Sequence, residues 1–320
     1  MLTIEEIKVL ELFGGIGAIR KAFIRQKIPH RIIDYVEVDK NCVKSYNALY
    51  GGDFLPQDIV KYSPPAQKID FVMHGSPCQD FSLVGLKKGG KKGSGTRSSL
   101  LFETIRIIEE MKEKPKIVLW ENVKGVLCKN MRVSFFNYLK EMERLGYENK
   151  YKILNAMDFG IPQNRNRIFV VSILGQNDFN FEALKKVETK SIDNFLDKRV
   201  SDLYQVKQKS MLRNLSSNFE NKNLNFHLKI IDKYAYTITT KQLRIPNSGV
   251  IAIENDKYRY LTERECFRLM GFSDSDVDKL EEVHQRKKNC TSYKLYKQAG
   301  NSIVVDILMA ILQEIYKEKE

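Results

Sequence analysis

Cys78 is the residue of this sequence whose surroundings best suit covalent chemistry. It follows a turn at residues 75–77 and an apolar run, residues 69–73, that predicts a buried strand. Residues 83–97 come next and hold five glycines, four lysines and one arginine. A lone cysteine is more often a small buried hydrophobe. A thiol between a core strand and a flexible basic loop, however, can attack a substrate that carries negative charge.

An acid and two arginines follow other predicted strands. Residues 116–120 predict a strand that delivers Glu121 at its end. Arg165 and Arg167 lie in the loop before the strand predicted for residues 167–174, and their spacing places both on one face of an extended chain. The pattern therefore brings an acid and a pair of cations to strand ends, where open α/β sheets bind their ligands.

A glycine-rich turn near the start of the chain predicts a cofactor site. Residues 8–13 predict a strand, residues 14–17 the turn, and residues 19–23 the start of a helix. This order opens a doubly wound sheet. The dinucleotide fingerprint is imperfect, because Arg20 occupies its third glycine position.

Two further acids are predicted at the ends of successive strands. Glu37 closes the strand predicted for residues 32–39, about twenty residues beyond the glycines, where an acid can accept hydrogen bonds from ribose hydroxyls. Asp58 lies at the tip of a short third strand predicted to end at residues 57–59. Both acids should point into the same crevice.

The remaining elements predict an α/β fold followed by a different domain. Strands alternate with helices over about 170 residues, which indicates a mostly parallel sheet. Residues 176–248 then contain no glycine and a single proline, Pro246. Within them, residues 235–240 predict one strand, which leads into the polar residues 241–244.

Two helix starts are predicted near the C-terminus. Thr262 and Glu265 have the spacing of a capping box. Residues 298–302 precede an apolar helix predicted for residues 303–315, where they would cap its N-terminus and offer backbone donors to a ligand.

Composition favours an intracellular protein that binds a polyanion. The chain has 320 residues, a formal charge of +13 and a pI of about 9.3, which suits nucleic acid or an acidic membrane surface. No apolar run approaches the length of a membrane span and the N-terminus lacks signal-peptide features, so nucleic acid is favoured. The five cysteines form no CxxC pair, which indicates reduced thiols and neither a disulfide framework nor a metal site.

In combination and order, these motifs resemble the bacterial and phage-type DNA cytosine-5 methyltransferases. The resemblance implies a Rossmann-like, S-adenosylmethionine-dependent sheet with a smaller target-recognition domain, divided as residues 1–176 plus 295–320 and residues 177–294. The cofactor residues that it implies are Phe13, Gly15, Gly17, Glu37, Val38, Asp58, Ile59, Pro77, Leu100, Asn301 and Ser302. Ala18 and Val38 depart from the family pattern, where many members have a glycine and some have an aromatic residue, respectively.

The catalytic residues implied by the resemblance are Cys78, Glu121, Arg165 and Arg167. Cys78 would add to C6 of cytosine and make C5 nucleophilic, and Glu121 would hold a proton at N3. Arg167 would hold O2 and orient Glu121, while Arg165 would support the loop. The base must leave the duplex to be reached.

Double-stranded DNA is the partner that the resemblance implies, for a monomer in the cytoplasm of a bacterium or of a phage-infected host. A separate restriction endonuclease accompanies some members, and the sequence does not decide this point. Residues 79–97 are the candidate lid over the site. The predicted DNA-binding residues are Gln79, Ser82, Lys87, Lys88, Lys91, Lys92, Arg97, Thr237, Thr239, Lys241, Gln242 and Arg244.

Three other functions compete with this interpretation. A tRNA methyltransferase of the same family ranks second, because residues 235–237 are only a remote match to the Cys-Phe-Thr of that branch. A nicotinamide oxidoreductase would leave Cys78, Glu121 and the arginine pair unexplained. A silent DNA-binding regulator is disfavoured because every motif position expected to carry chemistry is filled.

Overall fold

A computed structural model describes residues 5–76, 100–129, 131–215, 228–244, 246–254, 257–286 and 288–317. Cys78 and the predicted lid therefore lie outside the described residues. So do Pro77 and seven predicted DNA-binding residues: Gln79, Ser82, Lys87, Lys88, Lys91, Lys92 and Arg97.

A six-stranded sheet in the order β2-β1-β3-β4-β7-β5 forms the centre of the protein. Its strands are β1 (Ile7–Leu12), β2 (His30–Val36), β3 (Phe71–His74), β4 (Ile117–Val123), β5 (Tyr147–Asn155) and β7 (Asn166–Leu174). The first four are parallel, whereas β7 runs antiparallel to both β4 and β5. The predicted α/β fold is confirmed.

The antiparallel strand β7 explains how the arginine motif reaches the crevice. Parallel strands present their carboxyl ends at one edge of a sheet. Because β7 runs the other way, it brings its first residues to that edge, and Arg167 pairs with Val123 at the end of β4.

Helices cover both faces of the sheet. The described helices are α1 (Ala18–Arg25), α2 (Lys40–Tyr50), α3 (Leu100–Glu110), α4 (Arg132–Arg144), α5 (Lys209–Leu215), α6 (Glu263–Arg268), α7 (Asp274–Val283), α8 (Tyr293–Asn301) and α9 (Val305–Ile315). Successive strand residues point to opposite faces, so Val9 joins the core under α1 and α9 while Leu10 joins the core under α3 and α4.

The last helix returns to the first. Arg25 of α1 forms an ion pair with Asp306 of α9 at 3.1 Å, and Gln26 donates to the carbonyl of Met309. Residues Tyr293–Ile315 are long and apolar enough to cross a membrane, but they form two helices, and 72% of their most apolar window is buried inside the protein.

The predicted third strand ending at residues 57–59 is wrong. That segment has no strand pairing. The Gln57 N–H donates to the carbonyl of Glu37, the residue that follows β2, at 2.8 Å. Gly51, with a φ of +66°, turns the chain at the end of α2, and Pro56 cannot donate a ladder hydrogen bond. The third strand of the sheet is instead β3.

Between β7 and α6 the described residues form only short regular elements. The strand predicted for residues 235–240 shortens to β8 (Ala235–Tyr236), which pairs in parallel with β6 (Gln163–Asn164). A hairpin of β9 (Ile251–Ile253) and β10 (Lys257–Arg259) follows. The capping box of Thr262 and Glu265 at the start of α6 is confirmed.

Candidate active site

The glycine turn after β1 has an unusual backbone. Phe13 adopts a φ of +54°, which non-glycine residues rarely occupy, and Gly15 and Gly17 have φ values of +55° and +75°. Such a conformation at Phe13 costs about 1–3 kcal/mol and persists only where its surroundings hold it.

Tyrosines from β2 and α2 hold this turn. The hydroxyl of Tyr35 donates to the Gly15 carbonyl and that of Tyr50 to the Gly17 carbonyl, both at 2.6 Å. A Cβ added at Gly17 would lie 2.6 Å from both the Tyr46 and Tyr50 rings, so only glycine fits there.

A cavity lies between this turn, the ends of β3 and β4, and the end of α8. Five of the predicted site residues line it: Phe13, Gly15, Glu121, Asn301 and Ser302. With Cys42 of α2, residues from five separate parts of the chain line this cavity at the carboxyl edge of the sheet.

Glu37 lies beside this cavity. Its carboxylate accepts hydrogen bonds from the backbone N–H groups of Gly15 at 3.1 Å and Asp39 at 2.8 Å. Burial raises its pKa despite these bonds. The Gln57 bond to the Glu37 carbonyl brings the 57–59 segment alongside.

The other predicted cofactor residues differ in exposure. Val38 is 68% exposed and Asp58 is exposed, while Ile59 is buried. Leu100 begins α3 and is partly buried. Their contact with a cofactor stays a prediction.

Glu121 and Arg167 form the ion pair at the centre of the site. Arg167 Nε lies 3.1 Å from Glu121 Oε1, and both side chains are largely buried. Burial raises the pKa of Glu121, while the charges of Arg167 and Arg165 oppose that rise. Burial therefore favours the protonated form of this carboxyl group more than exposure to water would.

Arg165 links separate segments, and its guanidinium hydrogen bonds go to backbone carbonyls rather than to Glu121. It is 2% exposed, and its guanidinium donates to the carbonyls of Ile238, Gly300 and Ser302 at 2.8–3.1 Å. The two arginines therefore have different partners despite their spacing, and the catalytic part predicted for Arg165 stays a prediction.

The end of α8 corrects a second prediction. Residues 298–301 are the last residues of α8 rather than a loop that caps the next helix. The following helix, α9, begins at Val305 with Val304 as its N-cap residue and has no side-chain cap. The glycine in this motif serves close packing instead.

Gly300→Ala is expected to lower the free energy of unfolding by about 1–3 kcal/mol, the usual cost of overpacking. The added Cβ would lie 2.4 Å from the backbone carbon of Thr239 and 2.5 Å from the nitrogen of Thr240, and backbone cannot move aside as a side chain can. Urea denaturation measures the change. Gly125→Ala is the control, because its Cβ would meet only a Val123 methyl group at 3.7 Å; equal stability of both variants would contradict the packing.

Among the described residues that were predicted to contact DNA, Gln242 does not fit that prediction. It is 1% exposed and donates to the Ser248 hydroxyl at 2.7 Å, so it is not free to read bases in this conformation. Lys241 and Arg244 are exposed, and Thr237 and Thr239 are partly buried. Thr237 donates to the Asn164 carbonyl at 2.9 Å.

Sequence reasoning missed Glu11. It is fully buried in β1 and lines the cavity. Its Oε1 accepts a 2.6 Å hydrogen bond from Tyr46, whereas Oε2 has no partner among the described residues. Burial raises the Glu11 pKa to about 7 against the influence of Tyr46 and Arg20. An acid in the predicted strand of residues 8–13 was the available signal.

Comparisons with known proteins agree on one family. The family model described as C-5 cytosine-specific DNA methylase matches residues 7–317. The Type II methyltransferase M2.ScrFI of Lactococcus lactis subsp. cremoris is 32% identical, over 98% of this chain and 100% of its own. The orphan methyltransferase M.SssI of Spiroplasma monobiae is 33% identical, over 79% of this chain and 67% of its own.

A solved structure supports the fold. The Entamoeba histolytica methyltransferase EhMeth superimposes with a TM-score of 0.75 at 19% identity, covering 99% of this chain and 100% of the other. At that identity the match speaks for the fold alone.

Proposed function

Because this chain belongs to the C-5 cytosine-specific DNA methylase family, we propose that it methylates C5 of a cytosine flipped out of a short duplex DNA sequence, with S-adenosylmethionine as methyl donor. The observation that carries the proposal is the Glu121–Arg167 pair at 3.1 Å, at the cavity formed by the glycine turn. The Type II name of a relative supports a place in a restriction-modification system, beside a separate endonuclease.

The domain division follows from the same proposal. Residues 1–176 and 295–320 form the catalytic domain, which is supported by the contacts of α9 with α1. Residues 177–294 form the target-recognition domain, and the DNA lies in the cleft between the two. The enzyme acts as a monomer in the bacterial or phage-host cytoplasm.

The residues around the cavity fit S-adenosylmethionine. Glu11 Oε2 is a buried acceptor without a partner among the described residues, which suits a cationic ligand. Phe13 and Gly15 contribute a turn with positive φ values, and Glu37, which accepts from the Gly15 N–H, would accept ribose hydroxyls. When bound, S-adenosylmethionine supplies an electrophilic methyl group.

The protein's own residues prepare the base. The Cys78 thiolate attacks C6, a sulfur–carbon bond forms, and electron density moves to C5 and N3. Glu121 supplies the proton at N3. Arg167 keeps the Glu121 carboxyl group in position and also holds O2 of the base. Once C5 carries the methyl group, a base such as water takes the C5 proton, and the electron pair left behind forms the C5–C6 double bond and expels Cys78 as thiolate. N3 returns its proton to Glu121, which restores the aromatic ring and the starting state of both residues.

The test is methyl transfer from labelled S-adenosylmethionine to duplex DNA, with tRNA in a parallel assay. We expect label in DNA only, in C5 of cytosine. Label in tRNA alone would replace the proposal by the RNA branch of the family, and binding of NAD without S-adenosylmethionine would exclude both.

Glu11→Gln is expected to weaken S-adenosylmethionine binding by about 10- to 100-fold, the usual worth of a hydrogen bond to a charged group. Glutamine keeps the shape but cannot balance a cation. Calorimetric titration measures the affinity, and Glu143→Gln, an exposed acid on α4, is the control. Equal affinity of the two variants would remove Glu11 from the cofactor site.

The same variant reveals the pH dependence. With a pKa of about 7, Glu11 is mostly protonated below that pH and ionised above it. The wild-type affinity should therefore rise by about tenfold between about pH 6 and pH 8, since a ligand that binds only one state is favoured by the population of that state. Glu11→Gln should lose this rise and keep only the contribution of other groups such as Glu37.

A further inference from the structure

We propose that Lys229, held on the ring of Tyr236, is a phosphate-binding residue for the DNA backbone beside the flipped cytosine. The inference rests on the proposed function and adds a contact that the sequence did not predict. Its evidence is the composition of a second cleft, which adjoins the Glu121–Arg167 pair.

This cleft is cationic. Its lining includes Lys124, Arg167 and Lys229, which come from three separate parts of the chain, and none of its described lining residues carries a carboxylate. Its polar lining residues include Asn164, Asn166, Thr237 and Asn247. A cleft of positive charge and amide groups suits a phosphodiester backbone.

The cleft adjoins the place where the base must react. Val123 and Lys124 follow Glu121 along the chain by two and three residues, and Arg167 lines the cleft while pairing with Glu121. A nucleotide whose base reaches Glu121 therefore carries its phosphates into this cleft.

Lys229 is held in place at both ends. Its carbonyl accepts a 2.9 Å hydrogen bond from the Val250 N–H, and Gly249 at φ +96° lets the two segments approach, because a Cβ there would lie 2.8 Å from the Lys229 oxygen. The Lys229 ammonium lies 3.8 Å from the centre of the Tyr236 ring.

Tyr236 is itself fixed by strand pairing. Its N–H donates to the Ser248 carbonyl at 2.9 Å. The pairing of β8 with β6 places Tyr236 opposite Asn164, the residue before Arg165. Tyr234 packs edge-on against it with ring centres 5.4 Å apart. The fixed Tyr236 ring therefore holds the Lys229 ammonium in a defined position. An ammonium group that contacts an aromatic ring on one side keeps its other N–H donors available for phosphate.

The experiment compares Lys229→Gln with Lys112→Gln on duplex DNA that contains the methylated site and on unrelated duplex. Lys112 is exposed in the turn before β4, at the edge of the sheet opposite Glu121, so its variant loses the same charge far from the cleft. Affinity is measured between about 50 and 200 mM salt, and kcat at saturating DNA, because one phosphate contact contributes a slope of about 0.9 in log affinity against log salt.

For Lys229→Gln we expect about tenfold weaker binding at the lower salt on both DNAs, the salt slope reduced by about 0.9, and an unchanged kcat. The loss should shrink about threefold at the higher salt, as that slope requires. Lys112→Gln should match the wild type. Tyr236→Phe should keep the affinity because the ring remains, whereas Tyr236→Leu should lose part of it.

Two results would overturn the contact. In one, Lys229→Gln and Lys112→Gln bind alike; in the other, the loss is confined to the methylated sequence with an unchanged salt slope, which marks base reading. In both cases the wild type still methylates duplex DNA. A wild type without that activity would instead overturn the proposed function.

Discussion

Glu121→Gln is expected to lower kcat for cytosine methylation by about 10²- to 10⁴-fold, the range that a positioned general acid contributes. Glutamine fills the same space beside Arg167 but has no proton to give to N3 as charge develops on the base. Burial raises the Glu121 pKa, which favours the protonated side chain that donation to N3 requires.

Single-turnover methyl transfer measures this effect, and binding of S-adenosylmethionine and duplex DNA shows that the variant is intact. Glu113→Gln, which changes an exposed acid before β4, should behave as the wild type. A kcat within tenfold of the wild-type value would mean that Glu121 transfers no proton in the rate-limiting step.

Cys78→Ala is expected to reduce methyl transfer by a factor on the order of 10⁶, a loss typical of removing a covalent nucleophile. Without the thiolate no bond forms at C6, and C5 remains too poor a nucleophile to accept the methyl group. The exposed free thiol of Cys128 supplies the matched control, since Cys128→Ala removes a thiol that the mechanism does not use.

Duplex DNA with 5-fluorocytosine at the target makes the adduct visible. Fluorine replaces the C5 proton that must be lost, so the sulfur–carbon bond persists and a denaturation-resistant protein–DNA complex should form. We expect that complex with the wild type and with Cys128→Ala. Its formation by Cys78→Ala would show that another residue is the nucleophile.

Residues next to clear strands could be predicted from the sequence. Phe13 and Glu37 lie at the ends of predicted strands and Gly15 follows the first of them, and a parallel sheet brings such strand ends to one crevice. Glu121 lies near the carboxyl end of β4, which extends two residues beyond it to Val123. The meeting of Glu121 with Arg167, in contrast, depends on β7 running antiparallel, which periodicity alone cannot reveal.

Other features depend on contacts between distant segments. Residues 57–59 stand where the alternation of strands and helices predicts a third strand, yet Pro56 and the turn at Gly51 leave them outside the sheet. The sequence around Gly300 predicts a loop, and only the structure shows that Gly300 packs against the backbone of Thr239 and Thr240.

Two charged residues also need the three-dimensional structure. In the sequence Glu11 is only a polar residue within a predicted strand. The structure shows that it lines the cavity and that its Oε2 has no partner among the described residues. Lys229 gains meaning only from the Tyr236 ring beneath it and the two other cations of its cleft. Sequence separation hides such partners, because each lies on a different element.

Bisulfite sequencing of plasmid DNA from cells that produce the wild-type chain, beside cells that produce Cys78→Ala, tests the central claim most directly. The proposed mechanism predicts protected cytosines in one short repeated sequence with the wild type and none with the variant. Complete conversion of the plasmid cytosines, with the wild-type protein soluble and bound to S-adenosylmethionine, would contradict methylation of DNA by this protein.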